Sequence, residues 1–169
     1  MAKGSALDLD PYDALLESYA PGVRAADIDP VFNDYAAFLP DFLEAVTARQ
    51  AQKGLPVLPK PVPVAQQQKL VERLAGATGF RFEAGRIEVS AHPVSTGDRG
   101  DQRITVSDRE DDPMASVRAV LHEWGHAAYV AVCPAAWTRQ PVGQALGMVV
   151  HESQSLSVDM HASRSSESL

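Results

Sequence analysis

The sequence predicts a mainly α fold with one small β element, on three observations. Apolar residues recur at three- and four-residue steps through most of the chain. The β-like segments, punctuated by Gly, fall between residues 80 and 108, and a run free of helix breakers follows them from Pro113 to Val132. At 169 residues, 45% hydrophobic and 22% charged, the chain is long enough for a core and unlike a disordered segment, so residues 1–169 read as one domain.

The elements follow in order. LDPYDALLESYAPG reads as a short helix with Asp10 as cap and Pro11 at its first position, stopped by Pro21-Gly22. Asp29-Pro30 repeats the device. After it, Val31, Phe32, Tyr35, Phe38, Leu39, Phe42, Leu43 and Val46 mark an amphipathic helix ending near Gly54, with Pro40 as a candidate kink. GLPVLPKPVPV at 54–64 is an extended, Pro-rich connector, and AQQQKLVERLAGATG resumes a helical pattern to Gly79. FRFEA and QRITV are the expected strands of a small sheet or hairpin. Asp112 and Pro113 then open the helix PMASVRAVLHEWGHAAYVAV, which Pro134 ends. A last helical stretch, VGQALGMVVHESQSLSVDMHASRS, is weakened by its glycines and serines.

Several function classes are excluded. A net charge of −7 disfavours nucleic acid and anionic membrane surfaces, both of which need a basic face. No run of about 18 apolar residues spans a bilayer, and MAKGSALDLDPYD lacks an apolar signal core, so the cytoplasm is the expected compartment. Cys133 is the single cysteine, which removes intrachain disulfides and thiolate clusters. Any metal would be held by His and carboxylate.

Those residue types concentrate in VLHEWGHAAY at 120–129. His122 and His126, four apart on a helix, share a face and can share one ion. Glu123 points about 100 degrees around the axis, poorly placed as a ligand and well placed to reach a water on the metal. This is the H-E-x-x-H arrangement, in which Glu takes the proton of a metal-activated water. A random chain of this length contains the pattern in about one case in a hundred, and two surface histidines beside a glutamate remain the bland alternative. A tetrahedral catalytic site needs a third protein ligand; Glu152 offers one, if a partner helix packs antiparallel to the first. Gly125 and Ala127 are small enough to let such a segment approach.

The ordered blocks SAHPVSTG (90–97), DQRIT (101–105), EDDP (110–113), VLHEWGHAAY (120–129), WTRQPVGQALGM (137–148) and HESQSL (151–156) resemble the carboxypeptidase Taq family of zinc metallocarboxypeptidases. Its H-P-F, D-x-R-x-T, H-E-x-x-H and H-E-S/G-Q signatures map here, with Val94 in place of the Phe. The resemblance implies a helical, zincin-like core. It also implies His122, His126 and Glu152 as ligands of one Zn2+ per chain, with Co2+ as an alternative ion, and Glu123 as general acid/base. The implied activity is release of C-terminal residues from peptide substrates, with a homodimer compatible. Endopeptidase or aminopeptidase activity is disfavoured by the flanking signatures.

Asp101 and Arg103 are expected to form a buried ion pair or turn bracing the zinc helix. His92 is expected to be structural, His161 a surface residue, and His151 either behind a ligand or facing substrate. Family members run to several hundred residues and the match covers their central part. Later arginine and tyrosine signatures, implied to grip the substrate's carboxylate end, have no counterpart here. The competing expectation is therefore a non-catalytic or weakly active zinc-binding fragment.

Overall fold

A computed structural model describes residues 2–53 and 61–165. The chain divides into two compact units, Met1–Pro59 and Lys60–Leu169. The expected Pro-rich connector falls largely outside the described residues.

The first unit holds α1 (Ala2–Leu7), α2 (Pro11–Leu16) and α3 (Ala25–Lys53). Asp10 caps α2 as the sequence predicts, its carboxylate accepting from Tyr12 N at 2.9 Å. The long helix starts earlier than Asp29-Pro30. Asp27 accepts from Arg24 N at 2.9 Å and Asp13 from Ala25 N at 2.8 Å, so two carboxylates take up main-chain donors that open the first turn. Pro30 and Pro40 both lie inside the helix, each removing one intrahelical donor. On α3 none of the side chains is buried, and Phe38 stacks on Phe42 with ring centroids 4.9 Å apart.

The second unit carries α4 (Val64–Ala77), a 3-10 turn at Phe82–Ala84, β1 (Gly85–Val89), β2 (Val94–Asp98), β3 (Asp101–Val106) and α5 (Pro113–Val132). Two further 3-10 turns, Ala135–Trp137 and Pro141–Gly143, lead to α6 (Gly147–Leu156), which continues as a π-helical turn, Ser157–Ala162. The sheet order is β1-β3-β2, with β2 antiparallel and β1 parallel to β3. QRITV is a strand as expected, whereas FRFEA is not. Phe80 instead plugs the space between α4 and α5, 5.5 Å from the Trp124 ring and edge-on to it, and the strand begins at Gly85. Gly97, at φ +109, lies in β2 just before the β2–β3 turn at Arg99-Gly100; a Cβ there would meet the Asp101 carbonyl oxygen at 1.9 Å.

Helix α5 is the centre of this unit, packed on α4, on β2 and β3, and on α6 with its π turn. Its apolar face (Ala119, Val120, Leu121, Trp124, Ala127) joins Val71 and Ala75 of α4, Phe80, and Ile104 and Val106 of β3 in one core. Asp112 sits at the N-cap as predicted, yet its carboxylate pairs with Arg118 at 2.8 Å and does not cap the main chain. Polar closure at this end comes from Gln67, 2% exposed, whose amide donates to the Val62 and Arg109 carbonyls at 2.7 and 2.9 Å and accepts from the buried Ser116 hydroxyl. Among the described residues, no helix is long and apolar enough to cross a membrane.

Candidate metal centre

The sheet fixes α5 through Gln102, whose amide donates to the Ala127 carbonyl at 2.5 Å. Side chains alternate along β3, so Gln102 and Ile104 point into the core and Asp101 and Arg103 point outward. Asp101 and Arg103 do pair, Nη2 to Oδ2 at 2.9 Å, but on the exposed face and not buried as expected. The Arg103 hydrogen bond is what holds the Asp101 carboxyl below the usual carboxylate range. Thr105 of the same block bridges to the HPVS segment. Its hydroxyl donates to the His92 carbonyl and accepts from Val94 N, both at 3.0 Å. His92 is thus tied by its main chain, its side chain exposed, and His161 is exposed too.

Where α5 meets α6, His122, His126 and Glu152 come together, with one ligand atom from each lying within 4.8 Å of the others. Glu152 Oε2 is 3.6 Å from Nε2 of both histidines. Donors about 2.0 to 2.1 Å from a tetrahedral ion stand roughly 3.4 Å apart, so the trio fits one divalent ion. Two imidazoles and a carboxylate, without thiolate, are also the donor set of a catalytic rather than a structural site.

Burial pushes the His126 imidazole below the ordinary histidine range, with His151 and His122 adding to the effect and Glu152 opposing it. The shift favours the neutral ring, the form that ligates. Glu123 lies outside the trio and is buried, at 7% exposure. Desolvation raises its carboxyl above the usual range, the neighbouring Glu152 charge adds to that, and His122 and a hydrogen bond from the Ser95 main chain act against it. Ser95 belongs to β2, so the edge strand reaches the general-base candidate. A cleft of about 240 Å³ opens beside His151, lined by Ser95, Thr96, Gly97, Gln102 and Val130 among others.

Three residues at this centre are absent from the sequence reading. Tyr129 packs edge-on against His151, centroids 5.4 Å apart, and its hydroxyl accepts from Leu146 N at 3.0 Å. Ser155 and Asp159 lie on the α6 side, buried at 0% and 8% exposure. Tyr129 is three residues past His126, a helical step that could have marked it. Close approach of the two helices rests on Gly125, where a Cβ would lie 2.5 Å from Ser155 Cα and 2.7 Å from the Gln154 carbonyl oxygen. Both atoms are main chain and cannot rotate away. Gly125→Ala should lower stability by about 1–3 kcal/mol and weaken metal binding through the displaced Glu152, as read by chemical denaturation and metal titration.

A family model described as "Carboxypeptidase Taq (M32) metallopeptidase" matches residues 1–168. The "Thermostable carboxypeptidase 1" of Thermus thermophilus is 38% identical over 146 residues, 85% of this chain and 28% of its own length. Among solved structures, "Trypanosoma Cruzi Metallocarboxypeptidase 1" superposes with a TM-score of 0.88 at 37% identity, over 96% of this chain and 33% of that one. An M32 carboxypeptidase from Deinococcus radiodurans R1 gives 0.87 at 31%, over 97% and 33%. The chain spans about a third of the length of these relatives.

Proposed function

The chain belongs to the carboxypeptidase Taq (M32) metallopeptidase family, and on that premise we propose that it carries the hydrolytic centre of a metallocarboxypeptidase, with His122, His126 and Glu152 holding one divalent ion, zinc first and cobalt as its substitute. The observation that carries the reading is the convergence of those three ligand atoms within 4.8 Å, with a buried glutamate on the next helical position. A divalent ion bound there supplies a Lewis acid for the scissile carbonyl and lowers the pKa of a water. Glu123 accepts the proton of the attacking water and returns it to the leaving amine, a two-way role suited to a carboxyl raised by burial. The Ser95 main chain lies beside that carboxylate and offsets part of the rise. The cleft beside His151, lined by Ser95 and His151 but by no member of the trio, offers room for part of a peptide. A cytoplasmic setting belongs to the same reading, supported by the single cysteine.

The test combines metal analysis of protein purified without chelator with release of the C-terminal residue from a blocked dipeptide, at several protein concentrations. One ion per chain is expected, with turnover abolished by chelator and restored by Zn2+ or Co2+. Turnover far below that of a full-length relative is expected as well, because substrate positioning contributes orders of magnitude and the family's later arginine and tyrosine signatures have no match in this sequence. One bound ion without any turnover would favour the metal-binding, non-catalytic alternative. A metal-free chain that stays metal-free on titration would end both readings.

A further inference from the structure

Helix α6 and its π turn present His151, Ser155 and Asp159 at four-residue steps toward α5. Each of the three faces the outer side of a different member of the trio. His151 Nδ1 is 2.5 Å from Nδ1 of His126. The Ser155 hydroxyl is 2.9 Å from Glu152 Oε2, the oxygen that faces both histidines. Asp159 Oδ2 lies 3.8 Å from Nδ1 of His122, and Arg164 holds the other oxygen of that carboxylate, Nη2 to Oδ1, at 3.0 Å. Both α5 histidines therefore turn Nε2 to the shared point and Nδ1 to a residue of α6 or of its π turn.

We propose that His151, Ser155 and Asp159 are positioning residues that act as one bracket, fixing the tautomer of both histidines and the rotamer of the glutamate so that the ligand set is assembled before an ion arrives. This rests on the reading that the trio holds a metal.

The chemistry follows from the donor inventory. With the Nε2 lone pair of His126 turned to the ion, its proton sits on Nδ1 and is donated to His151 Nδ1, which makes His151 an Nε2–H tautomer. A carboxylate facing Nδ1 of His122 selects the same tautomer there, and a small ring rotation shortens 3.8 Å to a hydrogen bond. The Ser155 hydroxyl is shared between the Glu152 main-chain carbonyl at 2.8 Å and Oε2 at 2.9 Å; turned to Oε2, its proton keeps Glu152 from swinging into solvent, where its side chain is already 43% exposed. Outer partners of this kind typically change metal affinity ten- to a hundredfold. Side chains that served only to fold α6 would lower affinity solely together with lost helicity.

The experiment titrates Co2+ into the full chain and into Asp159→Asn, Ser155→Ala, His151→Phe and His151→Gln. It reads affinity and the visible absorption of the bound ion, with circular dichroism of each metal-free protein alongside. Asp159→Asn and Ser155→Ala are near-isosteric and change no apolar packing. The expected result is a ten- to hundredfold loss of Co2+ affinity in both, an altered Co2+ spectrum, and unchanged dichroism. Affinity in His151→Gln should lie nearer the parent than in His151→Phe, because the amide oxygen can still accept from His126. Affinities within twofold of a parent that binds Co2+, or losses that appear only together with lost helicity, would overturn the bracket. A parent that binds no more Co2+ than His122→Ala/His126→Ala would instead overturn the metal reading beneath it.

Discussion

Glu123→Gln is expected to keep the bound metal at one ion per chain while lowering peptide hydrolysis by about 10²- to 10⁴-fold, the usual contribution of a positioned general base. The substitution preserves size and the ability to accept from the Ser95 main chain, so the packing around this buried position survives. What it removes is proton acceptance. The amide cannot take a proton from water at neutral pH and has none to return to a leaving amine. Because the residue lies outside the ligand trio, metal affinity and catalysis should separate cleanly. The measurement is kcat/KM beside metal content on the same preparation, and activity within a few-fold of the parent would show that another group does this work.

His122→Ala/His126→Ala is expected to reduce bound metal to background. It removes both imidazoles and leaves Glu152, a carboxylate whose side chain is 43% exposed, as the remaining member of the trio. A single such ligand does not hold an ion against water. The loss has a second readout, since an ion that binds the folded state stabilises it by RT ln(1 + [L]/Kd), about 4 kcal/mol at a thousandfold excess over Kd. The parent should lose that increment on chelation and the variant should have none to lose. His126 is buried and 8% exposed, so its truncation also leaves a small cavity, and the metal-free variant is expected to unfold somewhat below the metal-free parent. Thermal unfolding with and without chelator resolves the two effects. Equal metal content in parent and variant would place the site elsewhere.

Periodicity carried the helical architecture well, because α4 and α5 bury continuous stripes and start at proline signals readable in the chain. The sheet was less legible. Phe80 and Phe82 alternate as strand residues do, yet Phe80 is spent on the contact with Trp124, a tertiary demand with no local signature. The parallel pairing of β1 with β3 joins Gly85 to Gln102 across seventeen positions, and such a register is set by packing rather than by turn chemistry. Asp101 and Arg103 attract attention as charges, while Gln102 between them makes the buried brace. Strand alternation contains that information, provided one knows which face is inward. Around the trio, His122, His126 and Glu152 stand out by residue type. Ser155 and Asp159 do not, since serine and aspartate on a helix are ordinarily solvated; only their spacing from His151 distinguishes them. The early start of α3 was hidden because its caps, Asp13 and Asp27, read as ordinary acidic residues.

Helix α6 buries a single side chain of its ten, that of Ser155, and meets α5 through the glycine contact and a row of polar groups. Few apolar contacts place such an element at the low end of the range of local opening free energies, well below the core of α4, α5 and β3. One fluctuation that lifts α6 carries away Glu152, His151, Ser155 and Asp159 together, leaving two histidines on an intact helix. Exchange of the proposed ion with solution is then governed by the opening frequency of one short helix, and a chelator can strip the centre at that frequency while the rest of the domain stays folded.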